Sequence, residues 1–147
     1  VTTLNEARQA VYRRFADEWT DGAAPLTPFQ LDNETFVPPS DAQGHGLPWA
    51  QCLVRSIAGT QETLGVSGNR KYKRRAMVLV KVYDRPGTGT SSIDAKVEKA
   101  KDIFEGFHLA GTSVKVYGAD IAELGIVDDG RWNLSTMQAY FDYEEVK

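Results

Sequence analysis

The chain has 147 residues, of which 41% are hydrophobic and 25% charged, with a net charge of −3; this is the balance of a folded globular chain and lies outside the disordered and membrane-embedded ranges. A chain of this length fits one domain and buries about two-thirds of the surface that its unfolded form exposes, so a single core over residues 1–147 is expected. No apolar run approaches the roughly 20 residues that cross a bilayer, and no basic stretch followed by an apolar one opens the chain, so neither a membrane partner nor a secretory signal is expected.

Leu4, Ala7, Val11, Phe15 and Trp19 recur at helical spacing with Arg8, Arg13, Arg14 and Glu18 between them, which predicts an amphipathic helix ending near Asp21-Gly22. Residues 23–48 hold five of the six prolines, and the residue before each proline is steered away from helix. A long loop with one short strand near Phe29 to Asn33 is the expectation. Connections of this length that carry aromatic side chains serve more often as arms or binding loops than as filler. Phe29, Phe36, Val37, His45 and Trp49 are therefore candidates for contact outside their own fold, with a neighbouring molecule.

From Trp49 to Thr63 the pattern is that of a strand, with Trp49, Leu53 and Ile57 among alternating positions and Ala50, Cys52, Ser56 and Ala58 on or near the other face. After a turn over 65–69 comes the clearest strand, Tyr72 to Tyr83. Ala76, Val78, Val80 and Val82 share one face and Met77, Leu79 and Tyr83 the other, so both faces are expected to be partly covered. Asp84-Arg85-Pro86-Gly87 ends it. A second helix is predicted from Ser92 to Glu105, capped by Thr90 or Ser91, with Ile93, Val97, Ala100, Phe104 and Phe107 as its buried stripe. Residues 113–127 and 131–145 predict two strands joined at Asp128-Asp129-Gly130, an Asp-Gly hairpin signal, with Gly118 and Gly125 marking a bulge or bend. Apolar residues occupy both faces of the last strand. The expected fold is α+β: one mixed, largely antiparallel sheet of about five strands with two helices packed on one face.

Little in the sequence points to catalysis. Cys52 is the only cysteine, so no internal disulfide is possible, a reducing cytosol is the expected compartment of synthesis, and a packed thiol is a better reading than a nucleophile. With only His45 and His108 available, spacing assembles no zinc-type ligand set. Gly87-Thr88-Gly89 before a helix resembles the start of a phosphate loop, but the Gly-Lys-Ser/Thr of a P-loop is missing and Ser92 stands where a dinucleotide loop needs a third glycine. Asp120, Glu123, Asp128 and Asp129 have no histidine near them in sequence and suit a solvated rim. No catalytic residue, cofactor or metal is expected.

The densest charge feature is Arg70-Lys71-Tyr72-Lys73-Arg74-Arg75, five cations in six residues around an aromatic. Three readings are open: a solvated strand entrance whose cations blunt a sheet edge, a contact with another protein, or a contact with nucleic acid through phosphates and stacking. Residues 1–85 hold 11 Lys/Arg against 9 Asp/Glu, a net of +2, while residues 86–147 hold 6 against 11, a net of −5. Complementary charge of this kind steers association and fixes register between copies. Arg70, Lys71, Lys73, Arg74 and Arg75, with Asp128, Asp129, Glu144 and Glu145, are the subunit-interface candidates, the basic run of one copy facing acids of the next.

The N-terminal helix, the proline-rich stretch from Pro28-Phe29-Gln30-Leu31 to Pro38-Pro39, the strand Ala76 to Tyr83, the turn Arg85-Pro86-Gly87-Thr88-Gly89-Thr90, the helix to Phe104 and the aromatic C-terminal hairpin together resemble the tail terminator proteins of long-tailed phages and related gene-transfer particles. The resemblance implies a homohexameric ring in the virion, at the head-proximal end of the tail, made in the cytoplasm of a bacterial host. It implies as partners the tail tube protein, a head-tail connector or stopper, and DNA passing through the lumen. A connector or tail-completion subunit of the neck is the nearest alternative, and a nucleic-acid-binding module built on the basic run is a third.

Overall fold

The computed structural model describes residues 2–147. Helix α1 spans Leu4–Glu18. It starts where it does because Thr3 and Glu6 close a capping box: the Glu6 N–H donates to the Thr3 hydroxyl and the Thr3 N–H donates to the Glu6 carboxylate, at 3.2 and 2.7 Å, satisfying two otherwise orphaned donors. The chain then forms a small antiparallel pair, β1 (Thr20–Asp21) and β2 (Ala24–Pro25), turning at Gly22 with φ +68°. Strand β3 is short, Phe29–Leu31. Long strands β4 (Trp49–Gln61) and β5 (Lys71–Asp84), helix α2 (Ser91–Phe104), and strands β6 (Lys115–Val127) and β7 (Trp132–Val146) follow.

Five strands make one sheet in the order β3-β4-β5-β7-β6, with β3 parallel to β4 and every other pair antiparallel. The fold is α+β, with the helices against the sheet. Registers Cys52↔Val80↔Met137 and Val54↔Val78↔Ala139 align the small and β-branched residues that α1 and α2 cover. From α1, Ala7, Val11 and Phe15 enter this core. From α2 it takes Ile93, Val97, Ala100, Ile103 and Phe104. Ile103 replaces Phe107 in the expected stripe: Phe107 lies beyond the helix end, 40% exposed, beneath the Arg14 guanidinium at 3.9 Å. Thr90 is the N-cap, but its side chain accepts no capping hydrogen bond from the first turn.

Gly118 and Gly125 do mark irregularities, because the β6–β7 register shifts between Val116 and Ala119 and again between Glu123 and Gly125. A further shift in the β4–β5 pair places Ile57 as the extra residue between Ser56 and Ala58, where strict alternation had been expected. The tight turn at Asp128-Asp129-Gly130 has positive φ at all three residues, +53°, +55° and +86°, a geometry that Asp and Gly tolerate and branched residues do not.

The segment 32–48 does not extend as an arm. It folds back over the helix-free face at one end of the sheet. Phe36 stacks on Trp49 at 5.1 Å, Trp49 stacks on Tyr83 at 4.1 Å and 3°, and Trp132 meets both edge-on at 6.0 Å. Gly46 lies so close to Trp132 that a Cβ there would sit 2.7 Å from the indole nitrogen. Phe29 packs edge-on against Phe15 at 5.2 Å on the other face. Phe29 and Phe36, named above as candidates for contact outside the fold, each reach an aromatic partner in their own chain, and that burial offsets the ordering cost of the loop.

Candidate assembly surface

The basic run belongs to β5, a central strand flanked by β4 and β7, so its cations are not guarding a sheet edge. The β5–β7 register sets Lys73 opposite Glu144 and Arg75 opposite Asp142. Side chains then pair within the chain: Arg74 Nε donates to Glu145 at 2.9 Å, Arg75 Nε donates to Asp142 at 3.1 Å, and Lys73 and Lys71 lie 3.4 and 3.9 Å from Asp142 and Glu144. Arg70 Nε donates to the Gly65 carbonyl at 2.7 Å. Glu144 and Glu145, named above as acids of the next copy that the run would face, are its ion-pair partners within the same molecule. Asp142, which sequence reasoning missed, is the hub. Only the alignment of β5 with β7 reveals it, since alternation alone gives no reason to single it out from its neighbours.

Burial pushes the Asp142 carboxyl up, but the Arg75 guanidinium and Tyr117 hydroxyl beside it outweigh that and hold it below its ordinary value. The Asp142 carboxylate in turn raises Lys73 and Arg75. Glu145 follows the same balance, with desolvation overcome by Arg74 and Lys147. Carboxyls depressed in the folded state stabilise it above the unfolded value near about 4 and lose that contribution as pH falls through the lower folded value. Thermal stability is therefore expected to be flat from neutral pH to about pH 5 and to fall below about pH 4. Asp142→Asn is expected to flatten this acid limb, which melts measured as a function of pH will show; an unchanged limb would place the titrating groups elsewhere.

The other acidic candidates lie far from this ladder. Lys71 pairs with Val146 at one end of the sheet and Asp84 with Asn133 at the other, so the β6–β7 turn with Asp128 and Asp129 is at the end opposite the basic run. Both aspartates are exposed. His45 is exposed in the folded-back loop, its Nδ1 3.4 Å from Asp41, whose carboxylate also accepts the His45 and Gln43 backbone N–H groups and lies below its ordinary value for that reason. Arg85 reaches the same carboxylate at 3.5 Å. Of the loop candidates, Val37 is open to solvent at 84% exposure, while Trp49 is buried.

The groove between α1 and residues 107–112 is lined by Glu6, Gln9, Arg13, Arg14, Asp17 and His108 together with Thr2, Thr112 and apolar or small residues. Cys52 is fully buried, and burial with the Asp32 charge pushes its thiol well up. Among the described residues no group of three His, Cys, Asp or Glu side chains is placed to hold a metal ion. Among the described residues no helix is long and apolar enough to cross a membrane.

What the fold leaves open is strand surface. β3 covers only Ala50 to Cys52 of β4, and β4 is exposed from Arg55 to Gln61. At the other edge, the segment after α2 covers the start of β6: Val116 N–H donates to Phe107, Gly106 N–H to Tyr117, and Ala119 N–H to the Glu105 carboxylate. From Asp120 onward β6 has no such cover. Exposed large apolar side chains stand at both places, Ile57, Leu64 and Val66 around the β4–β5 hairpin and Leu124 and Ile126 on β6, with Leu64 96% exposed.

Against known proteins, no family model matches the chain, and no curated protein matches it. Solved structures do. One superposes over all of this chain and 99% of its own with a TM-score of 0.69 at 19% identity. The likeness is one of fold.

Proposed function

We propose that this chain is a non-enzymatic structural subunit that assembles head to tail into a ring, and that within this class it is a tail terminator, the ring that caps the head-proximal end of a tail tube. The observation that carries the reading is the pair of uncovered strand regions, the outer halves of β4 and β6, which lie on different edges of the sheet. Two unlike patches on one subunit generate a ring or a filament when each meets the other on a neighbour. The role in a tail rests on the resemblance of the Ala76–Tyr83 strand, the Arg85–Thr90 turn and the following helix to tail terminators. On that reading the partners are further copies of the chain, the tail tube protein and the head connector, with DNA passing through the lumen, and the site of action is the virion.

Termination by occupancy consumes nothing: the ring presents one side that matches the tube and another that does not. Particles made without the protein are expected to carry tails of unregulated length, or tails that fail to join heads. Adding it back should stop growth at one ring with no nucleotide or cofactor, as electron micrographs of the tails will measure. Uniform tails of normal length joined to filled heads would overturn the assignment; normal tails with unstable necks would assign the chain to the connector instead.

A further inference from the structure

We infer that the ring contact joins two diagonal corners of the sheet, the β4–β5 hairpin corner of one copy seated on the outer β6 corner of the next. This rests on the ring reading above and says which surfaces close it. The corners are diagonal because the hairpin tip, residues 62–70, follows the β4–β5 pair at the end where Lys71 meets Val146, whereas the β6–β7 turn lies past the end where Asp84 meets Asn133. They also lie toward opposite edges in the order β3-β4-β5-β7-β6. Corners so placed face away from each other in one molecule and meet only between molecules.

Three properties match across the two corners. Charge is the first. Residues 55–75 with 141–147 hold seven Lys/Arg and four Asp/Glu, a net of +3 that becomes +2 once Asp32, the ion-pair partner of Arg55, is included, and residues 117–131 hold one Arg and four Asp/Glu, a net of −3. Asp120 and Glu123 have no ion-pair partner among the described residues, and Asp128 has only Arg131 at 3.9 Å. The second is apolar surface. Leu64 and Val66 project from the tip of the hairpin, and Leu124 and Ile126 stand on the outer half of β6 at 57% exposure each. Scattered exposed apolar residues need no explanation, but here they cluster at the two places where strands lack cover, and burying them against each other supplies the hydrophobic centre that a charged rim then orients. The third is backbone: each corner ends an otherwise covered edge with strand that has no neighbour, a state that isolated sheets avoid. The occupant is a second copy because one chain carries both complementary halves.

The test mixes two variants. Leu64→Ser/Val66→Ser spoils the hairpin corner, and Asp120→Lys/Glu123→Lys spoils the β6 corner; all four side chains are exposed. Asp128→Asn/Asp129→Asn is a second β6-corner variant whose Asn residues tolerate the positive φ of that turn. Mass is followed by light scattering for the free full chain and by microscopy on isolated tail tubes, with melts showing that each variant folds. Wild type is expected to assemble, and more weakly as salt shortens the screening length from about 10 Å at 0.1 M to about 3 Å at 1 M. Each variant alone should remain at the 16.3 kDa of the monomer. An equimolar mixture of a hairpin-corner and a β6-corner variant should yield a dimer and nothing larger, because only one sound contact remains between them. Assembly of all variants as in wild type would overturn this contact and leave the ring reading standing. A wild-type chain that stays monomeric both free and on tubes would overturn the ring reading and this contact with it.

Discussion

Replacing Phe15 with alanine is expected to remove about 3–5 kcal/mol of stability, the range for truncating a large buried aromatic side chain, and to lower the melting temperature by about 10 °C in a chain of this size. Phe15 is fully buried and is where three elements meet. Its ring stacks on Trp19 of its own helix end at 5.1 Å with the planes 23° apart, lies parallel to Phe104 of α2 at 6.5 Å, and is edge-on to Phe29 of β3 at 5.2 Å. The hole left by alanine is walled by other aromatic rings that cannot collapse without moving a helix or the short parallel strand, so the cavity contribution is expected to be near the top of the range. Against a total of roughly 5–15 kcal/mol such a loss is a large share. Phe107→Ala is the control, since Phe107 contacts Arg14 from an exposed position; its cost is expected to be about 1 kcal/mol or less. Chemical denaturation of both variants checks the pair, and equal losses would contradict the placement of Phe107 outside the core.

The difference between those two phenylalanines shows where sequence periodicity stops. Leu4 to Phe15 and Ile93 to Phe104 read as helical stripes because each element is long enough for its repeat to stand out. The alternation of Ala76 to Val82 was equally legible, as were the Asp-Gly turn and the two irregular glycines of β6. Phe107 has the right spacing for the stripe, yet α2 ends at Phe104 and the Glu105-Gly106 segment turns away, with Gly106 at φ +75°. Periodicity does not see a helix end. Two-residue strands such as Thr20–Asp21 are too short for any pattern, and the parallel pairing of Phe29–Leu31 with Ala50–Cys52 depends on a partner some twenty positions away. The acidic partners of the basic run were out of reach for the same reason: Arg75 and Asp142 are 67 positions apart, and Arg74 and Glu145 are 71, so their pairing exists only once β5 and β7 are in register. The apolar residues Leu64 and Val66 follow no strand or helix period, so their projection into solvent is visible only in the structure.

Trp49→Ala is expected to free the folded-back loop while leaving the helix-covered core intact. Trp49 is buried between Phe36 of the loop and Tyr83 of β5, with Trp132 against its edge, so it is the contact through which residues 32–48 are held to the helix-free face. Its loss is expected to cost about 3–5 kcal/mol, much of it from the stacks on Phe36 and Tyr83. What distinguishes this variant from Phe15→Ala is where the cost appears. Hydrogen exchange should accelerate over residues 33–48, and proteases should cut there, whereas amides of β5 and α2 should keep most of their protection because Val78, Val80, Ile93 and Phe104 lie on the other side of the sheet. Trp49→Phe should restore most of the stability, since the Trp49 indole N–H is buried without an acceptor among the described residues and removing an unsatisfied donor carries no hydrogen-bond loss. On the proposed terminator role, weaker attachment to a tail tube with ring formation unchanged would place the helix-free end of the sheet, with Val37 and His45 on its cover, against the tube. Unchanged exchange over 33–48 would mean that the loop is held by its Asp41–Arg85 contact and Gly46 packing, and that Trp49 is a passive neighbour of it.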